Sequence, residues 1–195
     1  MDDKAIDTAV ALHGHMAPGI ALGLRMSEFA LLRLNVKKGD KHLIGISETA
    51  RCLADAMQVA TGCTLGHGNA VVEDYGKLAI TIADARDGRG IRVSLRETAS
   101  GISPLMEIWM MRRGKLTKDE ENTLAHLLLR ADESYFDIKL VKVRMEQKFE
   151  KSPIMRCEGC NDLIPESLSL RKGERLYCKP CADEGYYTMF AEIKT

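Results

Sequence analysis

Apolar positions along this chain recur at two different periods, and the switches between them mark out its elements. Helical spacing over residues 3–12 predicts a first helix. The segment HGHMAPG then supplies a loop whose Pro18 suits the first turn of a second helix, predicted from about Gly19 to Leu34. The apolar face of that helix is broad, with Ile20, Leu24, Leu31 and Leu34 among strong helix formers, so it should be buried on most sides. The stretch from Asn35 to Asp40 ends it. His42 to Glu48 reads as a short strand, and Arg51 to Thr61 as a helix stopped by Gly62. Two alternating segments, Leu78 to Ala85 and Ile91 to Leu95, are joined by ARDGRG and predict a β-hairpin. Pro104 to Arg112 and Thr117 to Ala131 read as helices, the second opened by a capping box between Thr117 and Glu120. Phe136 to Met145 alternates as a further strand. Helices mixed with antiparallel strands argue an α+β core domain over residues 1–150.

Composition adds bounds to this picture. At 195 residues and 21.6 kDa the chain has room for one main domain and a small appendage. Its 28 basic residues balance 28 acidic ones, so net charge announces no nucleic-acid or anionic-membrane partner. The start, MDDKAIDTAVALHGH, carries acid where a signal peptide needs a basic region, and no run approaches the roughly 18 apolar residues of a spanning helix. A cytoplasmic protein without a membrane segment is expected. Six cysteines, four of them in two C-x-x-C pairs, fit a reducing compartment.

Those two pairs, Cys157 with Cys160 and Cys178 with Cys181, form a C-x2-C-x17-C-x2-C pattern within the spacing of four-thiolate zinc sites. Two intervening residues let one tight turn aim both sulfurs at one ion, and a connecting hairpin returns the second pair to complete a tetrahedron. With all four positions filled by protein, the expected zinc, one per chain, is structural. Residues 151–195 can bury little core, so binding of ~10–16 kcal/mol would supply much of their folding free energy. The preceding FEKSPIMR reads as a short link between the domains. CKPCADEGYYTMF continues into a short predicted helix, and the module resembles treble-clef or ribbon-type zinc fingers of the DksA/TraR type. Arg156, Arg171, Lys172, Arg175 and Lys179 offer a basic face for nucleic acid, which Glu158, Asp162, Glu166, Glu174, Asp183 and Glu184 dilute to a mixed surface.

The core holds a second set of chemically capable residues. In an extended segment, His13 and His15 would point to the same side and suit a metal. Cys52 and Asp55 lie about one helical turn apart, and Cys63 follows the glycine stop. His13, His15, Cys52 and Cys63 are thus candidate ligands for a second metal ion in the core. The plainer reading of each is a small buried cysteine or a hydrogen-bonded histidine. The loop GCTLGHGN could offer successive amide N–H groups to an anion, although a tight turn explains its glycines more simply. Tyr75 and Lys77 are candidate general acid/base residues, with a solvated strand entry as the plainer account.

Three blocks, HGHMAPGIALGLRM (13–26), CLADAMQVATGCTLGHGN (52–69) and DYGKLAI (74–80), resemble the core domain of the FmdE family, named after one of the subunits of formylmethanofuran dehydrogenase. The resemblance implies an α+β core, an intertwined homodimer and, in some members, an appended zinc finger. It also implies that His13, His15, Cys52 and Cys63 occupy family positions. Where the family pattern places a cysteine before the proline, this chain has Ala17, whose methyl group can neither ligate a metal nor exchange disulfides. Three functions remain in view: a metal-binding accessory or metal-dependent core, a regulatory or adaptor protein whose zinc finger contacts protein or nucleic acid, and a structural component docking on a larger enzyme complex. No nucleophile and base stand in a recognised arrangement, so the sequence alone does not make it an enzyme.

Overall fold

The computed structural model describes residues 3–144 and 152–187, and each of these stretches forms its own compact unit. In the larger unit, α1 (Asp3–His13) and α2 (Pro18–Leu34) precede β1 (Leu43–Ser47) and α3 (Cys52–Thr61). Next come β2 (Ala70–Val72) and the hairpin of β3 (Ala79–Asp84) and β4 (Arg89–Leu95). The unit closes with α4 (Pro104–Met110), α5 (Lys118–Leu129) and β5 (Phe136–Lys142). The strands make one sheet in the order β2-β1-β3-β4-β5, parallel only between β1 and β2.

Period-2 patterning decides which sheet face meets the helices. Leu43, Ile80, Ile82, Ile91, Val93 and Phe136 join one apolar cluster with Leu22, Met26 and Phe29 of α2 and Leu124 and Leu128 of α5. Thr81 and Arg92 are register partners whose side chains alternate onto the opposite face. As its broad apolar face predicts, α2 is the central helix, with twelve of its seventeen residues buried. It packs closely on α3 because Gly23 carries no side chain: a Cβ there would lie 2.7 Å from the Ala56 Cβ. Asn35 ends α2 in the left-handed conformation, and Gly62 ends α3 the same way. The capping box on α5 is formed, Thr117 Oγ1 accepting from the Glu120 amide while Glu120 Oε2 accepts from the Thr117 amide.

Within the larger unit, four departures from the sequence reading stand out. β2 has no counterpart there, being three residues long and paired in parallel across α3. A 3-10 turn, Glu97–Ile102, intervenes between β4 and α4. β5 ends at Lys142, and the predicted end at Met145 lies outside the described residues. His13 closes α1 and Gly14 turns at φ +93°, so the two histidines do not lie on an extended segment.

The smaller unit is two antiparallel hairpins, β6 (Ile154–Arg156) with β7 (Leu163–Pro165) and β8 (Leu170–Lys172) with β9 (Arg175–Tyr177). β6 takes up the last residues of the predicted link, whose residues 149–151 lie outside those described. The helix predicted after the second cysteine pair is a three-residue 3-10 turn, Pro180–Ala182, ended by Asp183 in the left-handed region. Its predicted continuation beyond Tyr187 lies outside the described residues. Two hairpins carrying two cysteine turns make this a ribbon-type module. None of the described helices is long and apolar enough to cross a membrane.

Candidate metal centre and core cleft

Cys157 and Cys160 sit on the turn between β6 and β7, and Cys178 and Cys181 on the turn after β9. Folding each hairpin brings the two turns together, so that the four sulfurs all lie within 4.8 Å of one another. This is a group able to hold a metal ion, and all four thiols are free. The Cys160 and Cys178 sulfurs are 3.8 Å apart, too far for a disulfide and equal to the edge of about 3.8 Å in a tetrahedron with ~2.3 Å metal–sulfur bonds. Gly159 makes this approach feasible: a Cβ there would lie 2.8 Å from both the Cβ and the Sγ of Cys181.

Backbone amides converge on the first sulfur. Gly159 and Cys178 donate to Cys157 Sγ at 3.3 and 3.2 Å. Against the penalty of burial, amides of Cys160, Cys178 and Gly159 pull the Cys157 thiol down to about 6. Cys181 is pushed up to about 12, first by the Cys178 thiol and then by burial and the other two cysteines. Four thiolates this close repel one another, and a cation among them removes that penalty. Of the basic residues on this unit, Lys172 pairs with Asp183 at 2.9 Å.

In the core, the fold gathers some of the sequence candidates and separates others. His13 Nδ1 and Asp55 Oδ2 are 2.8 Å apart, joining the end of α1 to α3. The His15 ring lies 5.0 Å from that of His13. Cys52 opens α3 beside Gly19, where a Cβ would meet its Cβ at 2.8 Å. Cys63 is fully buried in the main apolar cluster, whereas Cys52 packs against a second one that contains Ala17. Burial pushes both thiols up. Among the described residues, the four C-terminal cysteines are the one group of three or more such ligands at metal-binding separation, so His13, His15, Cys52 and Cys63 do not form a compact set.

The glycine-rich loop spends its amides on its own side chains and on Gln58 of α3. Thr64 N–H donates to Asn69 Oδ1, Leu65 N–H to Gln58 Oε1 and His67 N–H to Thr64 Oγ1, so the turn reading holds. Tyr75 and Lys77 form a cation–π pair at 5.6 Å, and both of their amides donate to the Glu48 carbonyl. That pairing fixes the loop between β2 and β3 and turns the residues between and beside them, Asp74, Gly76 and Leu78, toward a cleft of about 1090 Å³. The starts of α2 and α3, the connection from α4 to α5 and Glu121 of α5 complete its walls. Cys52 is the core cysteine that lines it, and Tyr75 and Lys77 do not. Sequence reasoning missed this cleft, for which the signal was the sole tryptophan, Trp109, in its wall.

The family described as "FmdE, Molybdenum formylmethanofuran dehydrogenase operon" matches residues 12–143 of this chain. A crystal structure of a tungsten formylmethanofuran dehydrogenase FmdE-like protein from Syntrophus aciditrophicus superposes with a TM-score of 0.76 at 27% identity, covering 95% of this chain and 94% of that one. A protein of Archaeoglobus fulgidus described as a probable S-adenosyl-L-methionine-binding protein is 32% identical over 91% of this chain. The chain spans about half of that relative's length, 52%. The family match covers most of the core that carries the histidines and the cleft, and the chain belongs to the FmdE family.

Proposed function

We propose that this protein is a metal-binding accessory protein in which Cys157, Cys160, Cys178 and Cys181 hold one structural zinc ion and the α+β core acts as a homodimer. The observation that carries the reading is the separation of four free thiols by no more than 4.8 Å, with one pair at the edge length of a zinc tetrahedron. Four soft sulfur donors favour zinc among the available divalent ions and leave no open position for a substrate. The role is therefore to hold the small unit folded. Exposed Leu32 on α2 and Leu140 on β5 supply apolar surface that a second copy, or a larger enzyme complex, would cover.

A second reading places another metal in the core, and one observation favours it. Asp55 engages Nδ1 of His13, which orients the ring and leaves Nε2 available, the arrangement that carboxylates impose on metal-ligating histidines. His15, at 5.0 Å between ring centres, would be its partner. An adaptor role in which the zinc module contacts protein or nucleic acid rests on exposed Arg156, Arg171, Arg175 and Lys179, Lys172 being paired with Asp183.

Metal content and molar mass of the full-length protein, measured beside a His13→Ala/His15→Ala variant, test these readings. One zinc per chain in both proteins, eluting at twice the chain mass, is the expected result. A second metal lost in the histidine variant would establish the core site, and a monomer would remove the dimer.

A further inference from the structure

The cleft of the larger unit combines features that zinc binding does not use. Arg51, Arg112 and Lys115 stand on its walls, and none of these side chains has a hydrogen-bond or ion-pair partner among the described residues. Two acids also line it, Asp74, whose Oδ1 accepts from the Gly76 amide at 3.1 Å, and Glu121 in the first turn of α5, so the three cations leave the walls with a net positive charge. Trp109 packs against the main apolar cluster and also lines the cleft, with Leu78 and Leu116 nearby.

Arg112 carries a second, independent sign. It occupies the position after the C-cap of α4 at φ +51°, where its amide and that of Arg113 donate back to Trp109 and Ile108 carbonyls. Glycine is the residue that takes this conformation without cost. Backbone strain accepted for a guanidinium on a cleft wall points to a use for that guanidinium.

We propose that this cleft binds a small organic anion with a flat aromatic or heteroaromatic ring, the ring lying against Trp109 and the acid group held by Arg112, Lys115 and Arg51. A volume of about 1090 Å³ accommodates such a molecule whole. Arginine's planar fork suits a carboxylate, sulfonate or phosphate, and its neighbours add charge without consuming it. The first turn of α2, which has neither a side-chain cap nor an acidic residue, lends positive potential to the same wall. The inference is independent of the metal reading, since no cysteine of the zinc module takes part.

Trp109 is the chain's one tryptophan, so its emission reports on occupancy of the cleft. The full-length protein is titrated with 8-anilinonaphthalene-1-sulfonate, and with N-phenyl-1-naphthylamine as the matching ring without a charge. Expected is saturable quenching of Trp109 by the sulfonate at one site per chain, weakened at least about tenfold in Arg112→Ala/Lys115→Ala. The uncharged probe should bind both proteins within about twofold of each other, because only the acid contact is lost. Arg112→Gly relieves the strained backbone, so its thermal midpoint should match or exceed that of the parent while sulfonate affinity still falls. Absence of saturable quenching, or unchanged sulfonate affinity in either variant, overturns the proposal. Should the double variant lose both probes through misfolding, Arg112→Gly decides: parental sulfonate affinity in it overturns the proposal, and a selective loss sustains it.

Discussion

Glu48 and Arg92 show how single residues hold the core's cleft side together. Arg92 Nε and Nη2 donate to the two Glu48 oxygens at 2.5 and 2.8 Å, while the Glu48 carbonyl accepts from the amides of Tyr75 and Lys77. The Glu48 side chain is only 9% exposed, so the pair is poorly screened. The Arg92 guanidinium holds the Glu48 carboxyl below its ordinary range. Arg92→Met, which strands the carboxylate, should cost about 2–4 kcal/mol at neutral pH, read from denaturant midpoints. The sign of the pH dependence follows from the lowered value. The folded state binds the proton less readily than the unfolded chain, so the contribution is complete above the unfolded value of ~4.3 and is lost as pH falls through the folded one. Thermal scans from neutral to acid pH should show the gap between parent and Glu48→Gln closing across that window. This pair is not legible in the sequence. Residues 48 and 92 are distant in the chain, and only the register of β1, β3 and β4 brings them together. Cys52 and Cys63, candidate partners by residue type, are divided by the fold between two apolar clusters.

At the scale of elements, local signals are the readable ones. The capping box on α5 is evident from Thr117 and Glu120, and Thr117→Ala should cost about 1 kcal/mol of global stability, measured by denaturant titration. Helix–helix approach is not readable, because the neighbour of a glycine is set by tertiary packing. Gly23 is the case in point. Helix propensity alone would have Gly23→Ala stabilise α2 by about 1 kcal/mol. The missing space between α2 and α3 reverses that sign, with Leu53 Cα only 3.1 Å from the added methyl as well. Calorimetry should show a net loss of about 1–3 kcal/mol. β2 escapes notice for a related reason: three residues cannot display a period, and their partner is a parallel strand across a helix. In the small unit, the predicted helix gives way to a 3-10 turn that places Cys181 beside Gly159.

For the whole molecule, the α+β class and the cysteine module follow from patterns within the chain, whereas the cleft is assembled from segments as far apart as Gly19 and Glu121. No periodicity marks a cavity of that kind, and the glycine-rich loop, the more conspicuous feature in the sequence, proves to have amides taken up by its own side chains and by Gln58 of α3. The FmdE assignment gives the core its family framework, and the four-thiol group supplies the firmest chemistry. The central claim is that this group holds structural zinc. Elemental analysis of the full-length protein, purified under reducing conditions without added chelator and measured beside Cys160→Ala/Cys178→Ala, tests it most directly. One zinc per chain in the parent and loss of that zinc in the variant is the predicted result. A folded parent with four reduced C-terminal thiols and no zinc, even after zinc is supplied, would contradict it.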